Sequence, residues 1–135
     1  MTKYNTNLAS EFFVLSMLHR LGASASLTLG NKKAVDIFIF RSDGSSLTID
    51  VKGVAKKYDW PADNINIHGK NDHFLALVCF ENKIIDPLQV PAAWIIPSKS
   101  IGRFIRKYKT RTVISRAEVN KKGREYKNAW ELLTA

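Results

Sequence analysis

An α/β domain with a mixed sheet flanked by helices is the fold class that the sequence predicts, and three observations predict it. A leading segment has helical apolar spacing, three short β-type runs follow it closely, and two continuous apolar runs come later. The 135 residues, 45% hydrophobic and 24% charged, suit one domain over 1–135 built around a single core.

Residues 7–21 carry Leu8, Val14, Leu15, Leu18 and Leu21 at helical intervals, with Asn7 placed to cap the first turn and Gly22 to end the helix. The runs 24–29, 34–40 and 47–52 are rich in β-branched and aromatic residues. Turn-forming stretches at 30–33 and 42–44 separate them, which predicts a meander. Residues 53–72 show no sustained period and read as a long surface loop. Phe74–Phe80 reads as a central strand and Ala92–Ile96 as another. From Ser98 to about Tyr108 the spacing of Ile101, Phe104 and Ile105 predicts a basic helix. Beyond Arg111 the expectation is a short extended piece, a basic turn at Lys121-Lys122-Gly123, and a last helical turn anchored by Trp130, Leu132 and Leu133.

The one cysteine, Cys79, lies inside an apolar run, so a disulfide-built scaffold is excluded and a buried thiol expected. The chain starts with a polar stretch and contains no apolar run approaching ~18 residues, so a cytoplasmic protein without a membrane partner is expected. Net charge is +9, and residues 103–127 alone carry ten basic groups against Glu118 and Glu125. Such a basic C-terminal segment, at about 98–135, attracts a polyanion, for which nucleic acid is the first candidate, although a solvated charged face is its ordinary alternative.

The chemistry concentrates in the meander. Alternation in Leu47–Lys52 sets Thr48, Asp50 and Lys52 on one face, and in the preceding strand it leaves Asp36 with Phe38 and Phe40 opposite Val35, Ile37 and Ile39. A three-residue loop at Ser42-Asp43-Gly44, with glycine in its left-handed position, pairs Arg41 with Ser45 and brings Asp36 opposite Asp50. Facing carboxylates at roughly 5 Å need a cation or a shifted pKa. Glu11, central in the helix's apolar stripe, supplies a third acid that must reach a metal, a lysine or a water-filled cleft; a salt bridge with Lys52 is the structural alternative. Three oxygen donors and a lysine are what a hard cation such as magnesium needs for phosphodiester hydrolysis.

In this order, Glu11 on a first helix, then Val35-Asp36, then Asp50-Val51-Lys52, the chain resembles the PD-(D/E)xK nuclease superfamily, with the motif order of archaeal Holliday-junction resolvases. Val35 stands where the family's proline would be, and residues 53–72 lack the crossover helix of many relatives. The resemblance implies a restriction-endonuclease-like core in the order α-β-β-β-loop-β-β-α. It also implies Mg²⁺ or Mn²⁺ held by Glu11, Asp36, Asp50 and the Val51 carbonyl, with Lys52 as the catalytic lysine. The expected function is that of an endonuclease acting on DNA, with a homodimer compatible with two cuts in a duplex. A catalytically inactive module that holds nucleic acid or protein on the same fold is the alternative. Lys56, Lys57, Trp60, Arg103, Arg106 and Lys107 are the expected nucleic-acid contacts, Trp60 either by stacking on a base or merely as an anchor of its loop. His19, His68 and His73 share no metal-ligand spacing and read as surface or loop residues.

Overall fold

In a computed structural model that describes residues 2–28 and 35–134, helix α1 (Lys3–Arg20) is followed by β1 (Ser24–Leu27), β2 (Ile37–Phe40) and β3 (Ser46–Val54). The expected turn at 30–33, and the flanking Leu29 and Ala34, lie outside the described residues. After a short strand β4 (Trp60–Pro61) come β5 (His73–Cys79), β6 (Ala92–Pro97), a 3₁₀ turn at Ser98–Phe104, β7 (Ile105–Lys107), β8 (Thr112–Ile114), α2 (Arg116–Lys122) and α3 (Glu131–Thr134).

Five strands form the main sheet in the order β1-β2-β3-β5-β6, with only β3 and β5 parallel. Alternation divides its faces. Ile37, Ile39, Leu47, Ile49, Ala76, Val78, Ala93 and Ile95 pack with Val14 and Leu18 of α1 and with Trp130 and Leu133 near the C-terminus. Leu75, Leu77, Cys79, Trp94 and Ile96 face the other way, onto Trp60, Ile101, Phe104, Ile114 and Val119. Each large side chain so buried contributes about 1.5–3 kcal/mol. Among the described residues no helix is long and apolar enough to cross a membrane.

The helix begins earlier than its spacing predicts. Thr2, not Asn7, is the N-cap, accepting from the Asn5 N–H, and the buried positions are Thr6, Ser10, Val14 and Leu18. Small polar residues thus occupy the N-terminal half of the contact face. At the other end Gly22, at φ +83°, donates to His19 while Ala23 donates to Leu18, which closes the helix as expected.

Three further expectations are corrected. Residues 53–72 are not all surface loop: Gly53 and Val54 complete β3, while Trp60 and Ala62 are buried. The basic helix to Tyr108 is a 3₁₀ turn that stops at Phe104, where the chain enters a strand, because Ile105 pairs with the distant Ile114. The basic turn at Lys121-Lys122 is the end of helix α2, capped by Ser115. A second sheet, β4-β8-β7, results.

Candidate active site

The β2–β3 hairpin fixes the first pair of acids. Its ladder runs from Phe40↔Ser46 to Ile37↔Ile49, the Gly44 N–H donates to Arg41 O, and Gly44 sits at φ +88°, so the three-residue loop and its register are as predicted. Asp43 braces the loop by accepting from both the N–H and the hydroxyl of Ser45.

At the far end β2 stops and Asp36 takes over. Its N–H donates to Ile49 O (2.8 Å), and its carboxylate accepts from the Val51 N–H (2.8 Å), so Asp36 brackets Asp50 along the strand. A strand residue's N–H and C=O point to the same side, so the Val51 carbonyl also faces this edge. Asp50 is buried, and Lys52 lies on it at 3.6 Å. The alternative pairing of Lys52 with Glu11 does not occur among the described salt bridges.

Glu11 reaches the same place because α1 crosses β3 at Gly53. A Cβ at that glycine would overlap the Ser10 hydroxyl and lie 2.6 Å from Ser10 Cβ, so only glycine permits this approach. The hydroxyl of Ser10 is turned back onto Thr6 O at 2.7 Å, which keeps the contact small. Glu11, Asp36, Asp50, Val51, Lys52 and Gly53 then line one cleft of about 710 Å³, together with Lys56, Tyr58, Pro61, Asp63 and Asn64.

The electrostatics follow. Burial, and then the charges of Asp36 and Asp50, raise the Glu11 pKa. Burial chiefly, with the Asp50 charge and against the Val51 hydrogen bond, raises Asp36 from 3.8 to about 6. The folded state therefore keeps a proton that the unfolded chain has released. The stability this contributes is complete below pH 3.8 and is lost as pH rises through about 6. The full shift would amount to ~3 kcal/mol, and solvent screening of the half-buried carboxylate reduces it to about 1 kcal/mol. Asp36→Asn, which can still accept from Val51, is expected to be more stable than the parent by about 1 kcal/mol at pH 7 and equal to it near pH 4. Urea unfolding at both pH values checks this; a gap of the same size at each would contradict it.

The donors are all oxygens, the type that Mg²⁺ or Mn²⁺ takes. Among the described residues, however, no three acidic, histidine or cysteine side chains are drawn tightly enough together to enclose an ion. Both carboxyls are raised first by burial and then by their like-charged neighbours, with Lys52 offsetting part of the effect at Asp36.

The expected nucleic-acid contacts are dispersed. Lys56 is at the cleft and Lys57 is exposed beside it. Trp60 is fully buried, donating to Val78 O and set edge-on to Trp94, so the base-stacking role is corrected to that of an anchor. Tyr58, 60% exposed and lining the cleft, is the aromatic that the sequence reading passed over. Arg103 rests on Phe104 and pairs loosely with Glu125, and Arg106 is bound to Glu118 at 2.6 Å; Lys107 is exposed.

His73 is also corrected. It opens β5, is buried, and is hydrogen-bonded to Thr48 at 2.7 Å; burial, with Lys70 nearby, lowers its pKa to about 4. The register Thr48↔His73 explains the contact, and no local sequence signal announced it. His19 and His68 are exposed, as expected.

No family model matches the chain, and no curated protein sequence matches it. Among solved structures, the chain is similar to a bacterial homing endonuclease, I-Ssp6803I, with a TM-score of 0.60 at 13% identity, over 99% of this chain and 94% of that one. At that identity the likeness is one of fold: an α/β architecture with a mixed sheet flanked by helices, shared with an endonuclease.

Proposed function

We propose that this protein is a metal-dependent nuclease that hydrolyses phosphodiester bonds in DNA, with a site of the PD-(D/E)xK type. The observation that carries the reading is the convergence of Glu11, Asp36 and Asp50, from three separate elements, with Lys52 on one cleft. Its fold, similar to that of a homing endonuclease, supports the same conclusion.

Glu11, Asp36, Asp50 and the Val51 carbonyl would hold Mg²⁺ or Mn²⁺, whose charge would lower the pKa of bound water and offset charge developing on the phosphate. Lys52, held beside Asp50, is a donor that can orient the attacking water and stabilise the transition state. The Val51 N–H holds one oxygen of the Asp36 carboxylate, which lines the cleft. Lys56 and Tyr58, which line the same cleft, suit a phosphate backbone and its sugars.

The catalytically inactive module is favoured by one observation, the absence of a closed ligand cluster among the described residues. Manganese titration by calorimetry separates the two readings. Saturable binding by the parent that Asp50→Asn loses is expected, with the parent's unfolding midpoint raised by the ion at pH 7. No binding by the parent, either alone or with a DNA duplex present, would sink the nuclease reading.

A further inference from the structure

The basic run that reads as a helix in the sequence is a β-ribbon, and a ribbon meets nucleic acid differently. Strands β7 and β8 pair through Ile105↔Ile114, Arg106↔Val113 and Lys107↔Thr112. The Tyr108 N–H donates to Arg111 O (2.8 Å), leaving Lys109-Thr110 as a two-residue tip. The base of the ribbon is packed into the core, with Val113 and Ile114 buried and the Ser115 N–H donating to Phe104 O. From Arg106 to Arg111 every residue is exposed.

The tip's charge is uncommitted. Arg106 belongs to Glu118, but among the described residues Lys107, Lys109 and Arg111 have no acidic partner. The Arg111 guanidinium lies 5.8 Å from the Tyr108 ring centre, a cation–π contact on the exposed end of the ribbon.

The ribbon is joined to the cleft. Strand β4 pairs with β8, Ala62 donates to Thr112 O, and Thr112 donates to Asp63 Oδ1. Pro61 and Asp63 line the cleft that holds the acidic cluster. Two or three residues at ~3.3 Å each therefore carry the chain from the cleft wall to the basic tip.

We propose that the β7–β8 ribbon docks into the major groove of duplex DNA lying across the cleft, with Lys107, Lys109 and Arg111 on the groove's phosphates and base edges. The inference rests on the nuclease reading for its choice of DNA. A major groove about 12 Å wide admits a two-stranded ribbon, whereas the A-form major groove of RNA is too deep and narrow. Single strands are bound through runs of aromatic platforms, and here Trp60 is buried while the exposed Tyr58 and Tyr108 are single rings, one at the cleft and one on the ribbon.

The test uses the full chain as Asp50→Asn, without divalent metal, and a fluorescent 30-base-pair duplex of arbitrary sequence, with anisotropy read over a salt series. Adding Lys107→Ala, Lys109→Ala and Arg111→Ala is expected to weaken duplex binding at least tenfold and to flatten the log–log salt slope by about 2.7, at ~0.9 per lost phosphate contact. An equal-charge control, Arg20→Ala with Lys83→Ala and Lys121→Ala, is expected to lose much less. A duplex whose major groove is filled by glucosylated hydroxymethylcytosine is expected to bind the parent poorly and to erase the difference between parent and ribbon variant.

Equal losses in ribbon variant and control, or equal losses on duplex and on single strands, would overturn the ribbon. Duplex binding through the ribbon, with no cleavage by the unsubstituted protein under any metal, would overturn the nuclease reading alone. A parent that binds no nucleic acid would overturn both.

Discussion

Asp50→Asn is expected to lower metal-dependent DNA cleavage by about 10³-fold while leaving the fold at least as stable as the parent's. Asp50 is buried between Asp36, which feels its charge, and Lys52, 3.6 Å away. Removing that charge takes away a donor that a cation requires but relieves the repulsion that helps raise Asp36. The two effects have opposite signs, and that is diagnostic. A residue present only for stability would lose stability and activity together. Lys52→Ala is expected to lose activity by a comparable factor through a different route, since removing one preorganised donor to a developing charge typically costs about 10²–10³-fold. Lys52→Arg should not rescue it, because a planar guanidinium fork presents its donors in a different geometry from a compact ammonium. Single-turnover cleavage of plasmid DNA with Mn²⁺, beside thermal melts, measures both quantities. Full activity in Asp50→Asn would remove this cluster from the mechanism.

What the sequence made legible was whatever chain geometry determines locally. The register of the β2–β3 hairpin could be read from Gly44 and from the switch of faces that any other loop length would impose, and that register alone brought Asp36 to Asp50. Glu11 stood out because a carboxylate interrupts a helical stripe.

The missed features depend on contacts between distant residues. The face of α1 that meets β3 is marked by Thr6 and Ser10, which carry no hydrophobic signal, so the leucines drew the stripe one step away from its true position. Ile101, Phe104 and Ile105 fit a helical period, and Ile105 leaves it only because Ile114 offers a strand partner. Trp60 and His73 each follow a polar stretch in sequence and are buried by strands far along the chain, Val78 and Thr48 supplying their hydrogen-bond partners. Neighbouring residue types cannot report such pairings.

Gly53→Ala is expected to damage both stability and cleavage, and it tests how Glu11 is delivered to the site. Ser10 and Gly53 form a close approach of α1 to β3, one residue from Glu11 on the helix and one residue from Lys52 on the strand. A methyl group at Gly53 has no room, so the helix must lift or the strand must bend, at a cost of about 1–3 kcal/mol. Lifting α1 by roughly 1 Å withdraws Glu11 from Asp36 and Asp50, and displacement of that size commonly lowers rate about 10²-fold. Ser10→Gly in the same chain removes the group that the methyl strikes. It should restore most of the cleavage while still costing about 1 kcal/mol for a glycine inside a helix. Recovery of activity without full recovery of stability is therefore the expected signature, read from cleavage rates and urea midpoints of the four proteins in the cycle. If Gly53→Ala cleaves like the parent, then the position of Glu11 does not depend on this contact, and the delivery of Glu11 by the Ser10–Gly53 approach fails.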